Sequence, residues 1–315
     1  MSLVSCGSEK PVSFVMSEAN PDGSIAAQVD AAFIAKAEEL SGGKIKIQLY
    51  TNGALGDNTA VMEVMTKPNS EIHLARVAPA AVVKYGCPLS ELLDIPYTFE
   101  SREHFWSFAS SPAAKKLLDE PYDNNIGVKG LFFAEEGFRH FFSTKPLEKP
   151  SDFDGKKIRS AGNSLMTDII KAYGGETIPV SFAKLYSALQ TGQVEIAEQP
   201  IVNYLANHFN KIAPYMILDS HQLGLHEVVI TTQAWESLSK KQQNILVEAG
   251  KYAGEYCMKI SQDAEDKAKA SLEAEGAVLA NVENHDEWRT MCSDVINKAS
   301  KENIKLYEEI IGLAK

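Results

Sequence analysis

The chain has 315 residues, 44% of them hydrophobic and 23% charged, the proportions of a folded globular protein with room for two domains and a core in each. Its 31 basic and 42 acidic side chains give a formal charge of −11, which leaves no basic stripe for nucleic acid but does not bar a few local arginines from holding a small anion. No apolar run reaches the roughly 18 residues that a membrane span needs.

At the amino end, Leu3-Val4-Ser5-Cys6 resembles a bacterial lipoprotein cleavage site. Cys6 is therefore an expected lipid anchor. The charged and apolar parts of a signal peptide do not precede it, which reads as a trimmed leader, and a plain free thiol is the competing account. PVSFVMS (residues 11–17) reads as a strand. A helix follows with Ile25, Val29, Ala32, Phe33 and Leu40 on one face, stopped by Gly42-Gly43. KIKIQLY (44–50) alternates as a strand. This βαβ opening predicts a largely parallel, helix-covered sheet. LGDNTAVMEVM starts a further helix, with Gly56-Asp57-Asn58 at its amino end.

A second unit of the same kind begins near VKGLFF and runs through KKIRS, the helix SLMTDIIKAYGG and the strand ETIPV. The next helix, SFAKLYSALQTGQ, has Ser181 as its amino cap and Gly192 as its stop, and VEIAEQP is strand-like again. Then comes one very long helical pattern. Ser239 caps it, Gln242 completes a capping box, and Ile245, Ala249, Tyr252, Tyr256 and Ile260 mark its apolar positions. It stays helix-compatible to about Ala274, roughly 50 Å at 1.5 Å per residue, longer than one domain of this size is wide. No heptad seam persists, so the helix is expected to run through two domains.

Catalytic and metal motifs are missing from the sequence. Cys87, Cys257 and Cys292 are widely spaced among apolar neighbours and read as small core residues. His221 and His226 flank QLGL on an apparent loop, in a hydrogen-bonding role rather than a metal-ligating one. LSGGK (40–44) lacks the spacing of a phosphate loop and reads as a helix stop. One residue is oddly placed: Arg159 ends the strand KKIRS, just before Gly162-Asn163-Ser164. From the residues alone it is a solvated strand-end charge, half of an ion pair with Asp152 or Asp154, or a clamp for an anion.

The pieces GGKIKIQLYTNGALGDN, LLDIPYTFES, GFRHFFSTKPLEKPSDFDGKKIRSAGN, PVSFAKLYSALQTGQVEIAEQP and TTQAWESLSKKQQNILVEAG, in this order, resemble the extracytoplasmic solute-binding proteins of tripartite ATP-independent periplasmic (TRAP) transporters over essentially the whole chain. The resemblance implies an α/β, two-lobed clamshell of the class II periplasmic binding protein type, with a long helix bracing both lobes. Lobe 1 is expected at 1–136 plus 225–264, and lobe 2 at 137–224 plus 265–315. It further implies a monomeric, extracytoplasmic, non-enzymatic protein without cofactor or metal. Its partners would be a small-molecule carboxylate ligand and the membrane permease subunits. A binding protein of an ATP-driven transporter would lack the KIR…LQTG…E order, and an enzyme on a similar scaffold would need a nucleophile–base or metal set.

By the same resemblance Arg159 is the arginine that forks a ligand carboxylate, through two parallel charge-assisted hydrogen bonds, and Arg139 is a second cleft arginine. Phe182 matches an apolar wall, although its stripe reads equally well as core. Gln199 stands where many members carry asparagine, one methylene shorter; Glu198 beside it could anchor an arginine instead. Arg76 stands where sialic-acid-type members carry an acidic residue, and LARVAPA with AEQPIVNY looks most like the hexuronate-binding members. Glu18, Asn20, Asp57, Asn58, Asn163, Asn203 and His221 complete the expected ligand set, with turn and cap roles as the alternative for the Asp and Asn positions. A C4-dicarboxylate, sialic acid or another sugar acid is the alternative ligand.

Overall fold

The computed structural model describes residues 10–160 and 164–314. Cys6 and Asn163, expected at the lipid anchor and the ligand site, lie outside them. The chain opens with β1 (Val12–Ser17), α1 (Ile25–Ser41), β2 (Ile45–Tyr50), α2 (Asn58–Met65), β3 (Leu74–Val77) and α3 (Pro79–Val83). It continues through α4 (Arg102–Ala109), α5 (Pro112–Asp123), β4 (Val128–Ser143), β5 (Lys157–Ser160), α6 (Ser164–Ala172), β6 (Glu176–Pro179), α7 (Phe182–Gln190), β7 (Ile196–Pro200) and α8 (Ile201–Ala206). The last part holds β8 (Tyr215–Thr231), α9 (Thr232–Ser237), α10 (Lys240–Ala274), β9 (Val278–Asn281), α11 (His285–Met291), α12 (Ser293–Ser300) and α13 (Ile304–Ile311).

Local signals account for most helix ends. Ser24 accepts a hydrogen bond from the Ala27 amide at 3.1 Å. After α1, Gly42 and Gly43 take positive φ and return their amides to the Glu39 and Glu38 carbonyls, which only glycine does without strain. The capping box of α10 is reciprocal: the Ser239 hydroxyl accepts from the Gln242 amide at 3.2 Å, and the Gln242 side chain accepts from the Ser239 amide at 3.1 Å. Ser181 stands at the amino cap of α7, but its side chain makes no capping bond.

The chain forms two compact units. The first holds residues up to 87, 115–134 and 226–257; the second holds 88–114, 135–225 and 258–315. The sequence division put 88–114 in lobe 1, whereas the structure groups it with the second unit. The cause is polar and aromatic contact: Arg102 bonds Glu135, Gln262 and Glu265, the Tyr97 and Tyr173 hydroxyls are 2.8 Å apart, and His104 meets the Ile310 carbonyl at 2.9 Å. VKGLFF likewise opens no second unit; it is the first part of β4, which belongs to the first.

The strands of the first unit follow the order β2-β1-β3-β8-β4. β1 is parallel to β2 and β3, while β8 returns antiparallel to β3. In the second unit β4 is antiparallel to β7, β7 and β6 are parallel to β5, and β9 is parallel to β8. The sheet is therefore mixed rather than largely parallel, because the long strands β4 and β8 carry the chain from unit to unit instead of closing βαβ crossovers. Val61, Met62, Ile72, Val77, Cys87 and Val229 form a core of the first unit, and Phe142, Leu185, Leu189, Tyr204, Phe209 and Leu272 a core of the second.

Helix α10 has 35 residues, but its buried stripe is not the one expected. Leu246, Ala249, Gly250, Ala253, Cys257 and Ser261 face inward, whereas Tyr252 is exposed and Ile245, Tyr256 and Ile260 are half-buried. Small residues let the helix axis come close: a Cβ built on Gly250 would stand 2.7 Å from the Phe132 ring. On α1, Leu40 is 42% exposed while Asp30 is fully buried.

Candidate functional site

Buried charge concentrates in two groups, one in each unit. In the second unit, the antiparallel register of β4 and β7 sets Phe141 opposite Glu198 and Arg139 opposite Pro200. Arg139 and Glu198 are thus diagonal neighbours on one face, and the Arg139 Nε donates to Glu198 Oε2. Parallel strand β5 brings Arg159 to the same carboxylate, its terminal nitrogen 3.8 Å from Glu198 Oε1. That is too long for a hydrogen bond. The Arg159 Nε instead donates to the Val180 carbonyl at 3.0 Å, which fixes the plane of the guanidinium and leaves its two terminal nitrogens side by side. Asp152 accepts the amides of its own turn, Glu148 and Lys149, so Glu198 is the carboxylate that Arg159 meets.

The electrostatics separate the two arginines. Burial works against the Arg139 cation, but Glu198, then Glu136 and Asp94, outweigh it and raise its value above the ordinary one. Arg159 is only 4% exposed. Burial holds it below its ordinary value, with Glu198 opposing and Arg139 adding repulsion. Burial also opposes ionisation of Glu198, yet Arg139 and its hydrogen bond, with His221 and Arg159 behind them, keep that carboxyl below its usual range. Arg159 is therefore an oriented, buried cation that the protein's own charges under-compensate.

His221 is no loop residue. It is fully buried inside β8, where its Nδ1 lies 2.7 Å from Asp219 Oδ2 and its Nε2 lies 3.9 Å from Glu198 Oε2. The polar string LDSHQLGLHE hid this strand, because its buried Asp219 and His221 face partners on other strands, the Phe141 amide and Glu198, as well as each other. Asp219, His140 and Asp30 were missed; the Asp-x-His spacing, which puts both side chains on one face of a strand, is the signal that could have found the first. Gln199 is 5% exposed on β7. Phe182 opens α7 at 46% exposure, edge-on to Phe209. Asn203 uses its carbonyl to accept from the Asn207 side chain.

In the first unit, Arg76 of β3 is 2% exposed and pairs with Glu18, Nε to Oε2 at 3.6 Å. Glu18 Oε1 accepts from the Asn20 amide and side chain at 2.6 and 2.8 Å. Burial raises the Asp30 carboxyl well above its usual range, against the pull of Arg76 and with help from Glu18. Asp57 is exposed and caps α2, accepting from the Ala60 amide at 2.9 Å, and Asn58 is that helix's first residue.

Among the described residues no group of three or more His, Cys, Asp or Glu could hold a metal, and no helix is long and apolar enough to cross a membrane. Two α/β units and a long helix that contributes residues to each make up the fold, and the second unit carries the buried, oriented guanidinium of Arg159. The chain belongs to the DctP family, the bacterial extracellular solute-binding proteins of family 7, whose model matches residues 16–303. It is 25% identical over 250 residues to the C4-dicarboxylate-binding periplasmic protein DctP of Rhodobacter capsulatus, covering 78% of this chain and 73% of that one. Its fold is that of a TRAP periplasmic solute-binding protein from Pseudomonas putida F1 with bound D-glucuronate: TM-score 0.88 and 23% identity over 95% of this chain and 96% of that one. A second such protein, from Sulfitobacter sp. NAS-14.1 with bound β-D-galacturonate, matches at TM-score 0.85 and 20% identity over 96% and 99%.

Proposed function

We propose that the protein is the extracytoplasmic solute-binding component of a TRAP transporter, that it captures a hexuronate, D-glucuronate or D-galacturonate, by its carboxylate, and that it delivers this ligand to the membrane permease. The observation that carries the reading is Arg159. A buried guanidinium with its Nε committed to a carbonyl presents its two terminal nitrogens to a carboxylate as a fork, and a ligand carboxylate supplies the counter-charge that Glu198 gives mainly to Arg139. Gln199 is the proposed polar partner beside it, and Phe182 an apolar wall.

The C4-dicarboxylate reading has support in the Rhodobacter relative, but it calls for a second carboxylate clamp. Arg76, the buried arginine of the first unit, has Glu18 as a counter-charge within its own unit. One carboxylate and several hydroxyls are the better match. Calorimetric titration of D-glucuronate, D-galacturonate, succinate and D-glucose decides between them. The expected order is hexuronates first, succinate well below and glucose undetected, since a neutral sugar leaves Arg159 without its anion. Tighter succinate binding would move the protein to the dicarboxylate binders and leave its family unchanged.

A further inference from the structure

His221 is hydrogen-bonded to Asp219 through Nδ1 at 2.7 Å, while its buried Nε2 makes no hydrogen bond and faces the Glu198 carboxylate across 3.9 Å. Its ring lies on Phe141 with centroids 4.3 Å apart. Asp219, also fully buried, uses its other oxygen to accept the Phe141 amide at 3.0 Å. The backbone around the pair is strained. Ser220, between them, takes φ +50, and Tyr97, whose amide donates to the His221 carbonyl at 2.9 Å, takes φ +59. Non-glycine residues in this region carry backbone strain, which recurs where a side chain must be aimed. The kink at Ser220 brings together two side chains that a regular strand would hold about 7 Å apart at Cα.

The charged and titratable groups packed around the ring are few enough to name. β4 supplies Arg139 and His140, β7 Glu198 and β5 Arg159. Tyr97, Tyr173 just after α6 and Cys292 after α11 lie in the field of Asp219, while Glu265 and Lys269 of α10 act on His140. His140 is not the cation here: its Nδ1 accepts the Ser220 amide at 3.1 Å, and burial above all pushes it down to about 4. A neutral His221 that donates from Nδ1 to Asp219 would turn a bare lone pair at the Glu198 carboxylate.

We propose that Asp219 is a positioning residue that keeps a hydrogen on both ring nitrogens of His221, so that the imidazolium shares Glu198 with Arg139 and keeps that carboxylate off Arg159. Without the imidazolium, Glu198 has one cation fewer on the Arg139 side. Its Oε1, already 3.8 Å from Arg159, then turns to Arg159 and competes with the ligand carboxylate. The proposal rests on Arg159 being the ligand clamp.

Two measurements test it. Nitrogen-15 spectra of the wild-type protein at pH 7, without ligand, are expected to show His221 protonated at both ring nitrogens; a neutral ring overturns the proposal, and this readout needs no variant to fold. Asp219→Asn is expected to weaken D-glucuronate binding about tenfold or more at pH 8, with the deficit shrinking as pH falls to 6, and Asp219→Glu should restore part of it. A loss independent of pH, or no loss, overturns the proposal. If the wild type binds no sugar acid at all, the ligand reading fails and the nitrogen spectra alone decide the role of Asp219.

Discussion

Glu227→Gln should stabilise the protein, and more so as pH rises. Glu227 lies on β8 opposite Val77, fully buried, and neither carboxyl oxygen has a hydrogen-bond partner among the described residues. Gly130 makes the room: a Cβ there would meet the Glu227 carboxyl and stand 2.8 Å from the Leu118 Cα. Burial, with Glu120 adding to it and Lys129 opposing, raises the acid from an ordinary 4.5 to about 8. Below pH 4.5 the group is protonated whether the chain is folded or not, so proton uptake adds no cost there. Between 4.5 and about 8 the unfolded chain is ionised and folding must take up a proton, so stability falls as pH rises through this window; above it the full cost applies. At about 1.4 kcal/mol per pH unit, the cost is about 3 kcal/mol at pH 7, with a ceiling of about 5 kcal/mol. Glutamine fills the same space without that proton. Urea unfolding of both proteins at pH 5, 6, 7 and 8 should show a gap that widens in favour of the variant. Parallel curves, offset by a constant amount, would refute an ionisable Glu227 as the cause.

Arg159→Ala should lose roughly 3–5 kcal/mol of sugar-acid binding, two to four decades in Kd, and Arg159→Lys should recover only part because the fork is gone. Unchanged calorimetric affinity in the alanine variant would remove Arg159 from the site. Gly250→Ala should cost about 1–3 kcal/mol of stability, because the new methyl meets the Phe132 ring at 2.7 Å; an unchanged urea midpoint would show that the ring gives way freely.

What was legible in the sequence was what is written locally. The β1–α1–β2 opening, the Gly42-Gly43 stop and the Ser239–Gln242 box depend on residues within a few positions of one another. The inward face of α10 was misread because apolar size marks a buried stripe only where side chains fill the gap; here Ala249, Gly250 and Ala253 close it by near approach of backbone. The segment of β8 around His221 and His226 reads as a loop from the sequence, since buried charge in a strand makes sense only once β4 and β7 have supplied its partners. Arg159 stands out in the sequence as an expected clamp, but its bond to Val180 and its unequal share of Glu198 are properties of the folded strands. Arg76 is an expected ligand cation from the sequence, and the fold sets Glu18, 58 residues earlier, 3.6 Å from it.

A crystal structure of the protein with D-glucuronate tests the central claim most directly. The account predicts the ligand carboxylate on the two terminal nitrogens of Arg159, at about 2.7–2.9 Å, with the Arg159 Nε still on the Val180 carbonyl and Glu198 still on Arg139. A carboxylate bound to Arg76 instead, or one that leaves Arg159 untouched, would contradict it.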